Sequence, residues 1–298
     1  MQTILITGSN GLLGQKLVHK LKGRADIKLV ATSKGRNRIS NHEGYEYESL
    51  DITSPKEIDT IFNKYKPNAV INTAAMTNVD ACESDQESCW KLNVDAVDYL
   101  VRASEKHQTH FIHLSTDFVF DGENGPYEET DEPNPLSYYG KSKLASEKIV
   151  EQAKTKWAIG RTIIVYGIGE NMSRSNIVLW AKGALEKKEP LKIVNDQFRS
   201  PTLAEDLADA CILIAEKEAE GLFHLSGKDV MSIVDLVRRV AKFYKLDDSI
   251  IHEISSKALN QAAKRPPKTG FIISKALSVL GYQPHSFEEG LKKLTDQL

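Results

Sequence analysis

Ile4-Leu5-Ile6-Thr7-Gly8-Ser9-Asn10-Gly11-Leu12-Leu13-Gly14 is the stretch whose reading decides the fold. Thr3 to Thr7 reads as a buried strand, and Leu12 to Leu21 carries apolar residues at helical spacing. Gly8, Gly11 and Gly14 stand between and just inside them. A glycine at the strand end permits a tight turn, the next lets backbone approach a pyrophosphate, and the third lets helix pack closely on strand. An anion there meets unpaired N–H groups and the positive end of the helix dipole. The GxxGxxG spacing is one residue wider than the usual fingerprint, and a glycine triplet alone would suit plain turns. The strand–loop–helix context makes it a dinucleotide loop, with Asn10, Leu12 and Leu13 as further cofactor-facing positions.

Outward from that loop the pattern repeats. Ile27 to Thr32, Tyr45 to Leu50, Ala69 to Thr73, Phe111 to Leu114 and Ala158 to Val165 read as strands. Helices lie between them, one opened by Ser54-Pro55, one holding Asn93, and one starting near Ser137. This alternation predicts an α/β fold, a Rossmann-type doubly wound parallel sheet covered on both faces. After residue 165 the rhythm loosens. Helices near Asn176–Glu186, Leu203–Glu216, Ile233–Tyr244 and Phe287–Gln297 are interrupted by short strands at Leu191–Val194 and Leu222–Leu225. Residues 1–165 are therefore read as the dinucleotide-binding domain. Residues 166–298 are read as a smaller, mainly substrate-binding α/β part, packed on the first and not independent.

Composition bounds the partners. The chain has 298 residues, 41% of them hydrophobic, and a net charge of -2. That balance points to neither nucleic acid nor a membrane surface, and an anionic substrate would need local basic residues. Cys82, Cys89 and Cys211 form no CxxC, so buried thiols in a reducing compartment are expected. The start has no signal-peptide pattern and no apolar run is long enough to span a membrane, so a cytoplasmic location is expected. The eight histidines show no metal-site spacing, and no metal is expected. A homodimer is kept as a compatible assembly.

The stretch after the second strand reads Thr32-Ser33-Lys34-Gly35-Arg36-Asn37-Arg38. It lacks the acid that commonly holds the ribose 2′-hydroxyl of NAD. Ser33, Lys34, Arg36 and Arg38 could instead receive a 2′-phosphate, or be solvated loop charges; the first reading favours NADP(H) over NAD(H). Asp51, with Ile52 beside it, could accept from an adenine amino group or cap the following helix.

Tyr139 and Lys143 are four residues apart and so share a helical face. The ammonium can stabilise a phenolate and lower the tyrosine pKa from about 10 towards neutrality. Such a tyrosine can protonate a carbonyl oxygen as hydride reaches carbon. Ser115, Thr116 and Asp117 end the fifth strand, where the cofactor crevice is expected. Either hydroxyl could bind a keto oxygen; a cap or turn role suits them equally. Asn93 could kink its helix and hold a water, or be a plain surface asparagine.

With these residues in view, the chain resembles the extended short-chain dehydrogenase/reductases. Within them it is similar to the dTDP-4-dehydrorhamnose reductase group of sugar-nucleotide reductases. The segments carrying the resemblance are GSNGLLG, INTAAMTNVDACE, KLNVDA, LSTDFVFDG, YEETDEPNPLSYYGKSKLASE, DQFRSPT and SKALSVLGYQPHSFEEGL. It implies hydride transfer from a reduced nicotinamide to the 4-keto carbon of a nucleoside-diphosphate deoxysugar. It also implies Tyr139 as proton donor, Lys143 on the nicotinamide ribose, and Thr116 on the keto group with Asp117 beside it. Ala74, Ala75 and Thr77 would line the nicotinamide-side phosphate and ribose, and cofactor preference in the group is often relaxed.

The segment Asp196-Gln197-Phe198-Arg199-Ser200-Pro201-Thr202 departs from the glycine-containing form common in relatives. Arg199 there could contact a diphosphate or form a salt bridge within the C-terminal part. Lys264-Arg265 is a second diphosphate candidate, against a solvated loop. Dehydratases of this framework place Asp and Glu after the strand-five Thr, whereas Phe118 follows Asp117 here, which disfavours dehydration. An epimerase would usually show the missing acid after strand two. The remaining alternative is a non-catalytic partner, since the regulatory subunit of methionine adenosyltransferase is similar to this family.

Overall fold

The computed structural model describes residues 1–259 and 261–298. The strands are β1 (Gln2–Thr7), β2 (Ile27–Ser33), β3 (Glu46–Ser49), β4 (Ala69–Asn72), β5 (His110–Thr116), β6 (Trp157–Thr162) and β7 (Val165–Tyr166). They continue as β8 (Leu191–Val194), β9 (Phe198–Arg199), β10 (Thr202–Leu203), β11 (Gly221–His224), β12 (Met231–Ser232) and β13 (Ile251–Ile254). The helices are α1 (Leu12–Leu21), α2 (Pro55–Tyr65), α3 (Val79–Ser84), α4 (Gln86–Trp90) and α5 (Ala96–His107). After them come α6 (Tyr138–Glu151), α7 (Ile177–Glu186), α8 (Ala204–Glu216), α9 (Ile233–Tyr244) and α10 (Phe287–Thr295).

Seven strands form one parallel sheet in the order β11-β6-β5-β4-β1-β2-β3. The order runs outward from β1 in both directions, so the strand ends at β1 and β4 open into a crevice. The expected Rossmann-type doubly wound sheet is what the chain forms. Strand alternation divides its side chains between two cores. Ile4 and Ile6 face α1 and α8, whereas Leu5, Val70, Phe111 and Ile159 face α2, α5 and α6. Both layers are apolar because both faces are covered.

The division at residue 165 does not mark where the chain leaves the sheet. α8 covers one sheet face and β11 pairs with β6, so residues 204–224 return to the first layer. An apolar helix such as α8 needs a sheet to cover, and the β6 edge needs a partner. The rest of the second half has its own apolar cluster, built from α7, α9, α10 and β8. Among the described residues no helix is long and apolar enough to cross a membrane.

Candidate active site

The glycine loop has the geometry its spacing predicts. Gly8 sits at φ +72, and a Cβ there would lie 2.7 Å from the Ala74 amide nitrogen. At Gly14 a Cβ would lie 2.4 Å from the Gly8 carbonyl, so α1 packs on the loop only without a side chain. Gly11 is the N-cap of α1 and has no side chain to offer, so the first amides, including those of Leu12 and Leu13, carry no side-chain cap. This cradle fits a pyrophosphate.

Asn10 fastens the next turn over the loop. Its Nδ2 donates to the Arg36 carbonyl and its Oδ1 accepts from the Arg38 amide, each at 2.8 Å. Ser33 closes β2, while Lys34 pairs with Asp51 at 2.6 Å. That ammonium, with the Thr53 hydroxyl and amide, holds the Asp51 carboxyl down to about 2. The cap of α2 is Ser54, not Asp51, and Ile52 is buried in the core below. Lys34 is therefore occupied. Arg36 and Arg38 stand exposed, and among the described residues neither forms an ion pair. Ala74, Ala75 and Thr77 follow β4, with Ala74 against Gly8.

Ser137 caps α6 by accepting from the Gly140 amide at 3.2 Å. A Cβ on Gly140 would come within 2.2 Å of the Phe118 carbonyl, so this glycine seats α6 against the turn after β5. Tyr139 is thereby held 8% exposed, edge-on to Phe118 at 5.7 Å. Thr116, which opens the turn against which Tyr139 packs, donates to Asp117 Oδ1 at 3.1 Å and accepts from Phe118 N at 3.2 Å. Ser115 lies beneath, with its hydroxyl buried and without a hydrogen-bond partner among the described residues.

The electrostatics differ from the expected lysine-lowered phenol. Burial pushes the Tyr139 hydroxyl above its usual value, against the pull of Thr116. Lys143 does share the helical face, but its chain reaches past Tyr139 to β5, where Nζ lies 2.9 Å from His113 Nε2. Burial brings its ammonium down to about 8, with Glu147 opposing.

Three further expectations are corrected. Asn93 is not a surface residue. It is buried in a π-helical turn (Lys91–Asp95), its Oδ1 accepting from Met76 N at 2.8 Å and its Nδ2 donating to Met76 O and Ser142 Oγ, both at 3.1 Å. Arg199 does form a salt bridge, but to Asp117 of the first half, at 3.5 Å. Its other N–H groups donate to the carbonyls of Phe198, Pro266 and Pro267, which leaves its guanidinium buried and occupied rather than free for a diphosphate. Arg265 is not a solvated loop charge: it grips the Asp80 carboxylate through both oxygens, at 3.1 and 2.6 Å.

The model of the RmlD substrate-binding domain matches residues 1–298. The chain belongs to this RmlD family. It is 31% identical to a dTDP-4-dehydrorhamnose reductase of Aggregatibacter actinomycetemcomitans, over 99% of this chain and 98% of that one. It is 30% identical to the beta subunit of methionine adenosyltransferase 2 of Pongo abelii, over 97% of this chain and 86% of that one. Among solved structures, a dTDP-4-dehydrorhamnose reductase from Bacillus anthracis in complex with NADP superposes with a TM-score of 0.86. Its sequence is 26% identical, and the match covers 100% of each chain.

Within this RmlD-family framework, sequence reasoning passed over His113, Asn72 and Thr7 as working residues, and over Gly140 and the Glu147–Arg161 pair. The signal for the first three was present. The ILIT, AVIN and FIH runs each pass from apolar residues to a polar one, and the strand register sets these three side by side. Arg161 and Glu147 meet at 2.7 Å in the interior, far apart in sequence, and only the fold brings them together.

Proposed function

We propose that this chain reduces the 4-keto group of a deoxysugar carried on a nucleoside diphosphate, as in dTDP-4-dehydrorhamnose, with NADP(H) preferred over NAD(H). The observation that carries the proposal is the seating of Tyr139, on α6, edge-on to Phe118 in the turn that Thr116 opens at the end of β5. That position lies on the crevice side of the sheet that holds the glycine cradle. Bound NADPH supplies the hydride. The backbone of Gly8 to Gly14, including Asn10, would hold its pyrophosphate. Arg36 and Ser33 would take the 2′-phosphate, Asp51 and Ile52 the adenine, and Ala74, Ala75 and Thr77 the nicotinamide side. Asn93 acts one layer back, by fixing the Met76 backbone.

Thr116 binds and orients the keto oxygen. Tyr139 gives its phenolic proton to that oxygen as hydride reaches the carbonyl carbon, which leaves an alcohol on the sugar and a phenolate on the helix. Because burial holds the hydroxyl above its usual value, the phenol is protonated at neutral pH and ready to donate. Lys143, one turn further on, stabilises the phenolate that results. Asp117 is itself tied to Arg199 and Thr269, so it orients Thr116 and is not available as an acid. Phe118 stands where a dehydratase would need a proton-transfer group, which favours simple reduction. Cys82, Cys89 and Cys211 are free, buried thiols that suit a reducing cytoplasm, where we place the reaction.

The test is NADPH oxidation in the presence of dTDP-linked and other 4-keto-sugar nucleotides. Tyr139→Phe should lower turnover by about 10²–10⁴-fold while NADPH affinity persists. Near-native turnover in that variant would remove Tyr139 from the mechanism. A second reading, a regulatory subunit, is favoured by the relative among methionine adenosyltransferase beta subunits. It becomes the better one if no keto-sugar nucleotide oxidises NADPH and the chain instead co-purifies with a methionine adenosyltransferase.

A further inference from the structure

Three neighbouring strands of the central sheet carry polar side chains in one lateral row. Thr7 and Asn72 are register partners on β1 and β4, and Asn72 and His113 are partners on β4 and β5. All three are buried. Thr7 Oγ1 donates to Asn72 Oδ1 at 2.5 Å, and Asn72 Nδ2 lies 3.0 Å from His113 Nδ1. His113 Nε2 lies 2.9 Å from Lys143 Nζ and 3.0 Å from Ser146 Oγ. The row begins one residue before Gly8 and ends on the amine beside the proposed proton donor.

We infer that His113 is a positioning residue for Lys143, holding its ammonium against β5 at the head of a polar row that reaches back to the glycine loop. The role in catalysis rests on the reductase reading above; the hold on Lys143 does not.

A buried ammonium with no acceptor is costly and tends to lose its proton. His113 is the hydrogen-bond partner that Nζ has among the described residues. A neutral imidazole accepts through one nitrogen and donates through the other. If Nε2 accepts from a charged Lys143, Nδ1–H must donate to the Asn72 amide oxygen; the Asn72 amide is then turned end for end from the orientation above, with its NH₂ donating to Thr7 Oγ1. If Asn72 donates to Nδ1 instead, Nε2–H turns to Ser146 and Lys143 is left as a neutral amine. The charge on the lysine and the order of protons along the row therefore change together. The row ends at a fully buried threonine, so it has no outlet to solvent and serves position and charge rather than proton export.

The surrounding groups leave this task to His113. On α6, Glu147 favours the ammonium, but it is shared with Arg161 of β6 through bonds of 3.0 and 2.7 Å. From α4, the Cys89 thiol faces the same space, and Tyr139 lies one turn before Lys143 on α6. Burial, and then Lys143 itself, keep the His113 imidazole neutral at working pH.

The experiment follows the Lys143 Cε resonance against pH in isotope-labelled, full-length protein with and without NADP+, assigned by its loss in Lys143→Arg. The native midpoint without cofactor should fall near 8, where burial brings the ammonium. His113→Leu should lower it by about one to two pH units, the size of a lost charge-assisted hydrogen bond. His113→Gln, whose amide oxygen can reach the Nε2 position, should restore most of that shift. If the Leu protein does not fold, Asn72→Val gives a second reading: it strips Nδ1 of its partner and should also lower the midpoint. An unmoved Lys143 midpoint in a folded Leu or Val variant overturns the inference. A midpoint that moves as stated, in a protein that reduces no keto-sugar nucleotide, upholds the positioning role and counts against the reductase reading instead.

Discussion

Arg36 and Arg38 extend into solvent from the turn that Asn10 fastens over the glycine loop, while Lys34 beside them is paired with Asp51. On the proposed reading, cofactor choice is set at these side chains. Replacing both arginines by alanine should weaken NADPH binding by about tenfold or more while NADH binding changes little, since only NADPH brings a 2′-phosphate for charge-assisted hydrogen bonds. Calorimetry with both cofactors checks this, and equal losses would refute it. In the proposed mechanism Lys143 sets the pH dependence. Its amine is charged below about 8 and neutral above, because burial outweighs Glu147. The kcat/KM for keto-sugar reduction should therefore fall as pH rises through that value, well short of the ordinary tyrosine range near ~10. Lys143→Met should remove that limb and weaken cofactor binding as well. A limb that survives in Lys143→Met belongs to some other group.

At the scale of elements, α6 is the one that must sit correctly, and Gly140 is why it can. In an exposed helix, Gly→Ala stabilises by about 1 kcal/mol. Here the added methyl meets the Phe118 carbonyl at 2.2 Å, so the helix has to retreat from the turn. Gly140→Ala should thus destabilise by about 1–3 kcal/mol, and should depress turnover more than NADPH affinity because Tyr139 moves with the helix. Thermal unfolding and turnover read side by side would decide it; a more stable, fully active variant would contradict the packing argument. Local pattern carried the elements well. The glycine loop, the strand alternation and the Ser54-Pro55 start all appear where spacing puts them, since each depends on neighbours a few residues away. The expected single helix around Asn93 is instead broken into α3, α4, a π-helical turn and α5. Asn93 needs the Met76 backbone and Ser142 as partners, and those are supplied by other segments. The expected strand from Ala158 to Val165 splits for a local reason, with Ile164 at φ 40 between β6 and β7. Arg199 was misplaced because its partner, Asp117, lies in the other half of the chain.

That pair also ties the two halves of the molecule together beneath the site. Asp117 follows the first half's β5, and its carboxylate is held by two residues of the second half, Arg199 and Thr269. Arg199 in turn ties down the carbonyls of Pro266 and Pro267. Burial dominates both charges, raising the Asp117 carboxyl above its usual value and lowering the Arg199 guanidinium. Such a pair contributes little net stability when intact, but removing one partner strands the other. Arg199→Met should therefore cost about 3–5 kcal/mol near neutral pH. The sign of the pH effect follows from Asp117. Its folded pKa lies above the unfolded value of about 3.9, so the native state keeps this proton to higher pH than the unfolded chain does. The group's burden on stability is absent below the unfolded value and grows as pH rises through the folded one. Without Arg199 the folded value climbs further, so the variant's deficit should be small near pH ~4 and widen towards pH ~7. Adding Asp117→Asn to Arg199→Met removes the stranded charge, and should both recover much of the loss and flatten its pH dependence. Denaturant titrations of the native, single and double variants across that range measure this. A deficit that stays constant with pH, or that the second substitution deepens, would mean that the halves are held by packing around Phe118 and Pro266 and not by the buried pair.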